Sequence, residues 1–231
     1  MAATKALEKK HGEQRAPPAV SLNEKKALLL LSGGIDSPVA GRLLQQQGWT
    51  LTAVHFSTPA IVGKAPEEKA SRLADVLQIP LTIIDASTAF HTLATRCRKQ
   101  LYFVLSKRLM VRTAELLAAR QGASVLVTGE SVGQVSSQTL RNLHTIDVAT
   151  SLPVLRPLIG LDKEQIILLA KQFGTYDLSI GPEFCDALGP PHPATFSSPE
   201  EVEQEETWVD ARKMAEELIT TTIKGHHTPQ P

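Results

Sequence analysis

A chain of 231 residues with 24 Lys+Arg, 24 Asp+Glu, 42% hydrophobic and 21% charged residues has the composition of a globular protein, which excludes a disordered or fibrous one. No apolar run near the start reaches the ~20 residues of a membrane span, and residues 1–26 lack the apolar core of a signal peptide. Two distant cysteines, Cys97 and Cys185, exclude a disulfide framework and a four-cysteine zinc site, so the expectation is a cytoplasmic protein with free thiols and no membrane contact.

The net charge of zero hides an uneven distribution. Residues 1–26 carry six positive and three negative side chains, and residues 86–120 carry seven and one. Residues 196–224 carry eight negative and three positive. The basic segments suit a polyanion and the acidic one does not, unless each run is simply a solvated face.

In chain order, residues 1–24 read as a mobile arm, with Ala-Pro-Pro and few large apolar side chains. Strands are expected at 27–31, 50–56, 81–85 and 124–128, with a shorter one near 153–158. Helices are expected at 38–48, 66–78, 89–121, 133–144 and 163–173, the last capped by Asp162 and closed at Gly174. Runs that are apolar on both faces and alternate with helices imply an α/β domain over 25–186. Its core would be a doubly wound, mostly parallel five-stranded sheet. Such sheets bind ligands beyond the carboxyl ends of their strands, which points to the loops after Leu31, Phe56, Asp85, Thr128 and Leu155. Residues 187–231 read as a Pro/Gly linker and an acidic amphipathic helix over 199–224. Its apolar contacts would be Val202, Trp208, Val209, Met214 and Leu218.

Ser32-Gly33-Gly34-Ile35-Asp36-Ser37-Pro38 lies between a strand and a helix. Two glycines let the backbone approach a ligand, a helix N-terminus attracts anions, and Pro38 suits a first helical position. Ser32 and Ser37 add hydroxyls, and Asp36 can hold a Mg²⁺ ion that bridges phosphates. This is chemistry for gripping a polyphosphate, without the Walker or the dinucleotide-binding pattern.

The heptapeptide resembles the loop of the ATP pyrophosphatase (PP-loop) group, the adenine nucleotide alpha hydrolase-like enzymes. Further along come Thr128-Gly129-Glu130-Ser131 with Gln138-Thr139-Leu140, Leu155-Arg156-Pro157-Leu158, Asp162-Lys163-Glu164, Phe173-Gly174-Thr175 and Pro182-Glu183-Phe184-Cys185. Together they resemble the catalytic domain of the tRNA 4-thiouridine sulfurtransferases, the family also linked to the thiamine thiazole, over about 26–186. The resemblance implies an enzyme that adenylates a uracil O4 in tRNA with ATP and Mg²⁺, releases pyrophosphate, and installs persulfide sulfur. It implies that Leu30 and Leu31 border the nucleotide, and that Ser32, Gly33, Gly34, Asp36 and Ser37 hold pyrophosphate and metal. His55 and Phe56 would line the adenosine site, with Lys107, Gly129 and Gln138 as further ATP contacts. Lys163 would be required for activity and Cys185 would be the catalytic cysteine, with Lys163 a candidate to activate it.

On residue type alone, Lys107 is equally a surface lysine, His55 a structural histidine, and Cys185 an inert thiol. Lys163 opposes the dipole at the start of its helix, a mild cost that favours function, although Asp162 and Glu164 beside it could equally compensate. Three departures from the family pattern stand out. Only about 25 residues precede the loop where typical members carry an RNA-binding region, so a separate RNA-binding subunit and weak tRNA binding by the chain itself are expected. The tail carries no rhodanese-like cysteine, which calls for an external persulfide donor such as a cysteine desulfurase or rhodanese. Phe103 and Ser106 replace a C-x-x-C pair that some members use, so no iron–sulfur cluster is expected. Cys97 is a core or surface thiol, or a resolving partner for Cys185. The alternatives are adenylation of a small molecule or carrier protein, and a non-catalytic ATP-binding subunit. The oligomeric state stays open, a homodimer included.

Overall fold

The computed structural model describes residues 25–132, 138–181, 187–221 and 223–229. The expected arm at 1–24 and Cys185 fall outside them.

β1 (Lys26–Leu30) is followed by α1 (Asp36–Gln46), β2 (Thr50–Ser57), the single turn α2 (Pro59–Val62), α3 (Ala65–Leu77) and β3 (Leu81–Asp85). Next come α4 (Ser87–Arg96), α5 (Tyr102–Gln121), β4 (Val125–Val127), α6 (Leu140–Asp147), β5 (Val154–Leu155), α7 (Lys163–Gln172) and α8 (Tyr176–Ser179). The chain ends in α9 (Pro199–Thr207), α10 (Ala211–Thr221) and β6 (Ile223–His227).

The sheet order is β5-β4-β1-β2-β3-β6. β1 to β5 are mutually parallel, as the alternating pattern predicts. Both faces of β1 are covered because its side chains alternate: Ala27 and Leu29 join α1, α3 and α7, while Leu28 and Leu30 join α4, α5, α6 and the tail helices. Burying each large apolar side chain contributes about 1.5–3 kcal/mol, which is why these two layers hold the fold.

Three expectations need correction. A sixth strand, β6, pairs antiparallel with β3, so the sheet has six strands and not five. Its His226-His227 pair reads as polar, yet Thr82 Oγ1 meets His226 Nδ1 at 3.1 Å and Asp75 Oδ1 meets His227 Nε2 at 2.6 Å. The helix expected over 89–121 is two, broken around Cys97–Leu101, where the Arg98 amide donates to Glu205 Oε2 at 2.8 Å. The single tail helix is also two, α9 and α10. Val202 and Leu218 are buried against the core while Trp208 stays 67% exposed, so the tail is packed onto the domain without its tryptophan.

α7 starts as expected. Asp162 accepts from the Gln165 amide at 2.8 Å, and Gln165 Oε1 accepts from the Asp162 amide at 3.0 Å, a reciprocal cap. No helix among the described residues is long and apolar enough to cross a membrane.

The two charge runs meet. Arg108, fully buried on α5, donates to Glu206 Oε1 and Oε2 at 2.7 and 2.9 Å, and Arg112 donates to Glu206 Oε2 at 2.7 Å. Arg98 pairs with Glu201. Three of the seven cations of 86–120, Arg98, Arg108 and Arg112, therefore go to α9, and Lys107 goes to Glu130, while Arg96, Lys99 and Arg120 stay exposed, so less of the positive charge than the sequence suggested faces a polyanion.

Candidate active site

Up to β3 the strands add on one side of β1, and β4 then crosses to the other side of β1. The switch point therefore lies where β1 and β4 end. The loop after β1 is drawn tight there. Gly33 sits at φ +84°, in the left-handed region that favours glycine. The Ser32 amide donates to Ser37 Oγ at 3.0 Å, the two serine hydroxyls are 3.1 Å apart, and the Gly34 amide donates to Ser32 Oγ at 3.3 Å. These bonds wind the loop around its own serines and into α1. The residue before α1, Ile35, offers no side-chain cap, so the first-turn amides are left for another acceptor. α1 begins at Asp36, which puts Pro38 at the third helical position and not the first.

Gly129, just after β4, presses on that turn. A Cβ there would lie 2.5 Å from Ser37 N, 2.6 Å from Asp36 C and 2.7 Å from Ser37 Cα. Such distances leave room for glycine alone.

A cleft of about 1300 Å³ opens above the strand ends, walled by the loops after β1, β2 and β4 and by α3 and α5. The loops after β3 and β5 contribute nothing to its lining. Ser32, Gly33, Gly34, Asp36 and Ser37 line one part of it, and Leu30, Leu31, His55 and Phe56 another. Lys107, Gly129 and Gln138 also line it, the last accepting from the Ser131 amide at 3.2 Å.

His55 is buried, and its Nδ1 lies 2.8 Å from the Leu31 carbonyl oxygen. A carbonyl only accepts, so Nδ1 carries the proton and Nε2 is left as a buried acceptor without a partner among the described residues. Burial holds the imidazole pKa below its ordinary value against the opposing pull of the Leu31 bond and Glu67, so the ring is neutral at pH 7.

Lys107 donates to Glu130 Oε1 at 2.7 Å, and Arg156 donates to Glu130 Oε2 at 2.9 Å and to both oxygens of Asp147. Burial would raise the Glu130 pKa, but Lys107 and Arg156 outweigh it and hold the carboxyl below its usual range. Lys107 thus waits beside the cleft on a charged partner. Lys163, from the first turn of α7, donates to Asp36 Oδ1 at 2.7 Å. Facing the cleft through Asp36, it offsets the unfavourable dipole with an ion pair.

A family model described as thiamine biosynthesis protein (ThiI) matches residues 22–211. The chain belongs to the ThiI family. A probable tRNA sulfurtransferase of Thermus thermophilus is 40% identical to this ThiI-family chain over 230 residues, covering 96% of the chain and 55% of the relative. One of Caldanaerobacter subterraneus is 38% identical over 206 residues, covering 86% and 54%. The chain thus spans about half the length of the curated relatives it matches. Its fold superimposes with a TM-score of 0.84 and 36% identity on a 4-thiouridine synthetase solved as an RNA complex with bound ATP, covering 89% of this chain and 55% of that one. An NMN synthetase of Francisella tularensis, at 14% identity and a TM-score of 0.55, shares the fold alone.

Reading the ThiI-family sequence missed four residues. Glu130 and Arg156 sit inside the quoted motifs, but only the fold shows that Glu130 holds Lys107 and is itself held by Arg156. Lys69 and Arg72 of α3 line the cleft, and no motif flagged them. Their signal was the i, i+3 spacing of two cations on one helix.

Cys97 lies in the core. It is 8% exposed, and burial with Glu205 and Glu206 nearby pushes its thiol up to about 11. A thiol in that state is a poor nucleophile at neutral pH. Iodoacetamide at pH 7.5 should leave Cys97 unmodified in the folded protein and label it after denaturation. Peptide mass spectrometry showing equal labelling in both states would refute this.

Proposed function

We propose that this chain carries the ATP-using chemistry of tRNA uracil 4-thiolation. The observation that supports this most is the tight loop at the switch point, closed by Gly129 against the start of α1. The relatives named as sulfurtransferases support it further.

The uracil O4 attacks the α-phosphate of ATP. The loop amides and the Ser32 and Ser37 hydroxyls take the charge of the departing pyrophosphate, and AMP remains on O4. Neutral His55 offers Nε2 to a donor on the nucleoside, and Leu30, Leu31 and Phe56 pack against its base. Lys163 holds Asp36 in place. Among the described residues no cluster of three or more His, Cys, Asp or Glu could hold a metal ion. Mg²⁺ needs only one or two carboxylates beside phosphate oxygens, and Asp36, with Oδ2 outside its Lys163 bond, fits that demand. When bound, Mg²⁺ neutralises phosphate charge.

Persulfide sulfur from an external donor then attacks C4 and expels AMP. The Cys185 thiolate takes the donor's inner sulfur into a mixed disulfide, which leaves 4-thiouridine and requires a thiol reductant afterwards. Cys185→Ser should retain ATP–pyrophosphate exchange and lose at least 100-fold in thiolation. Thiolation at the wild-type rate would remove Cys185 from the mechanism.

The description of the family by thiamine biosynthesis favours a second acceptor, a small molecule or carrier protein in thiazole sulfur delivery. ATP–pyrophosphate exchange with and without tRNA separates the readings. Exchange that requires tRNA supports the first, and exchange without it the second. Absence of exchange under both conditions overturns both and leaves a non-catalytic ATP-binding subunit.

A further inference from the structure

The cations around the cleft differ in what already holds them. Lys107 and Arg156 are bound to Glu130, and Lys163 to Asp36. Lys69 and Arg72 line the same cleft, yet none of the hydrogen bonds or ion pairs among the described residues involves either one. Lys69 is half-buried, and leaving an ammonium partly desolvated without a counter-charge costs free energy. That cost is recovered when an anion arrives.

Its placement says which anion. The Lys69 stem crosses the loop, with Cδ 3.5 Å from where a Cβ on Gly33 would stand. Its Nζ lies 4.0 Å from the equivalent point on Gly181, beyond the end of α8. The Lys69 stem therefore runs beside Gly33 of the loop, on the side of α3, and its charge lies between that loop and Gly181, while Leu30, His55 and Phe56 form the wall that takes the nucleoside. Arg72, one turn further along α3, extends the same positive edge. A lysine is a compact point charge suited to phosphate oxygens without fixed geometry.

We propose that Lys69, assisted by Arg72, contacts the terminal phosphates of ATP and remains on the pyrophosphate as it leaves. This rests on the reading of the cleft as an ATP site. The loop amides hold the phosphates from one side and α3 closes the other, so the charge that accumulates on the leaving group meets a cation that no carboxylate of the described residues has already neutralised.

The test is calorimetric titration of the purified protein, in Mg²⁺, with AMP and with the non-hydrolysable imido analogue of ATP. In Lys69→Gln the analogue should bind about 10- to 100-fold more weakly, the range of a lost charge-assisted contact, while AMP stays within about twofold. Lys69→Arg should recover most of the loss. Arg72→Gln, at an exposed position, should show the same selectivity with a loss of about 3- to 10-fold. An equal fall for AMP and the analogue, or no fall for either, overturns the assignment of Lys69 and leaves the ATP site standing. If the wild-type protein binds neither ligand, the ATP reading fails and this proposal fails with it.

Discussion

Gly129→Ala should abolish ATP binding, with a loss of at least 100-fold, and lower stability by about 1–3 kcal/mol, the usual cost of forcing a methyl into a filled space. The new Cβ would meet three backbone atoms of Asp36 and Ser37 between 2.5 and 2.7 Å away. Backbone cannot swing aside as a side chain can. Relief requires the β4 end or the first turn of α1 to shift, and either shift opens the Ser32–Ser37 hydroxyl pair that shapes the loop. The effect on binding should thus exceed the effect on folding. Thermal unfolding with and without Mg-ATP reads both: the wild-type midpoint rises with ligand and the variant's does not. Gly160→Ala is the control, since a Cβ there meets nothing within 4 Å. An unchanged ATP-dependent rise in Gly129→Ala would show that the close approach does not shape the site.

Glu206→Gln should cost about 3–5 kcal/mol, the scale of breaking a buried ion pair by removing one partner. For a chain of this size that lowers the midpoint by about 6–20 °C. Glu206 holds two arginines, and Arg108 is fully buried with its remaining nitrogen on the Thr145 carbonyl at 2.5 Å. An amide would leave both cations short of charge in the interior. The same cluster gives a pH dependence. Burial raises the Glu206 pKa, but Arg108 and Arg112 outweigh it, so the folded value lies below the ordinary 4.5. A carboxyl with a depressed folded pKa stabilises above its unfolded pKa and loses that contribution as pH falls through the folded one. Denaturant melts should therefore show wild-type stability declining below about pH 4.5, with a flatter acid limb in Glu206→Gln. A variant as stable as wild type at pH 7 would show that α9 is held by its apolar contacts alone.

Much of the site was legible because its signals are local. Ser32-Gly33-Gly34-Ile35-Asp36-Ser37 encodes its own turn through glycine, short hydroxyls and a following helix, and the structure forms that turn. Asp162 and Gln165 likewise specify the start of α7 within four residues. The twelve positions assigned to ATP come together on one cleft, although nothing local brings Lys107, Gly129 and Gln138 to the loop after β1. The sheet topology does that.

The sequence by itself determined the parallel α/β core. Strands apolar on both faces have no stable place except between two helical layers, and the full Ser-Gly-Gly-x-Asp-Ser turn at the end of the first strand suits a ligand beyond the carboxyl ends of the sheet. Tertiary structure decided the rest, where partners distant in sequence compete with local preference. Polar β6 became a strand because β3 offered an open edge and Asp75 and Thr82 met its histidines. The long helix broke at Cys97 as Glu205 took the Arg98 amide. A basic run and an acidic run, read apart as two surfaces, meet where Arg108, Arg112 and Glu206 form a buried cluster, because charges taken out of water must find each other. Lys69 was left without a partner among the described residues, and only the packing of α3 over Gly33 made it visible.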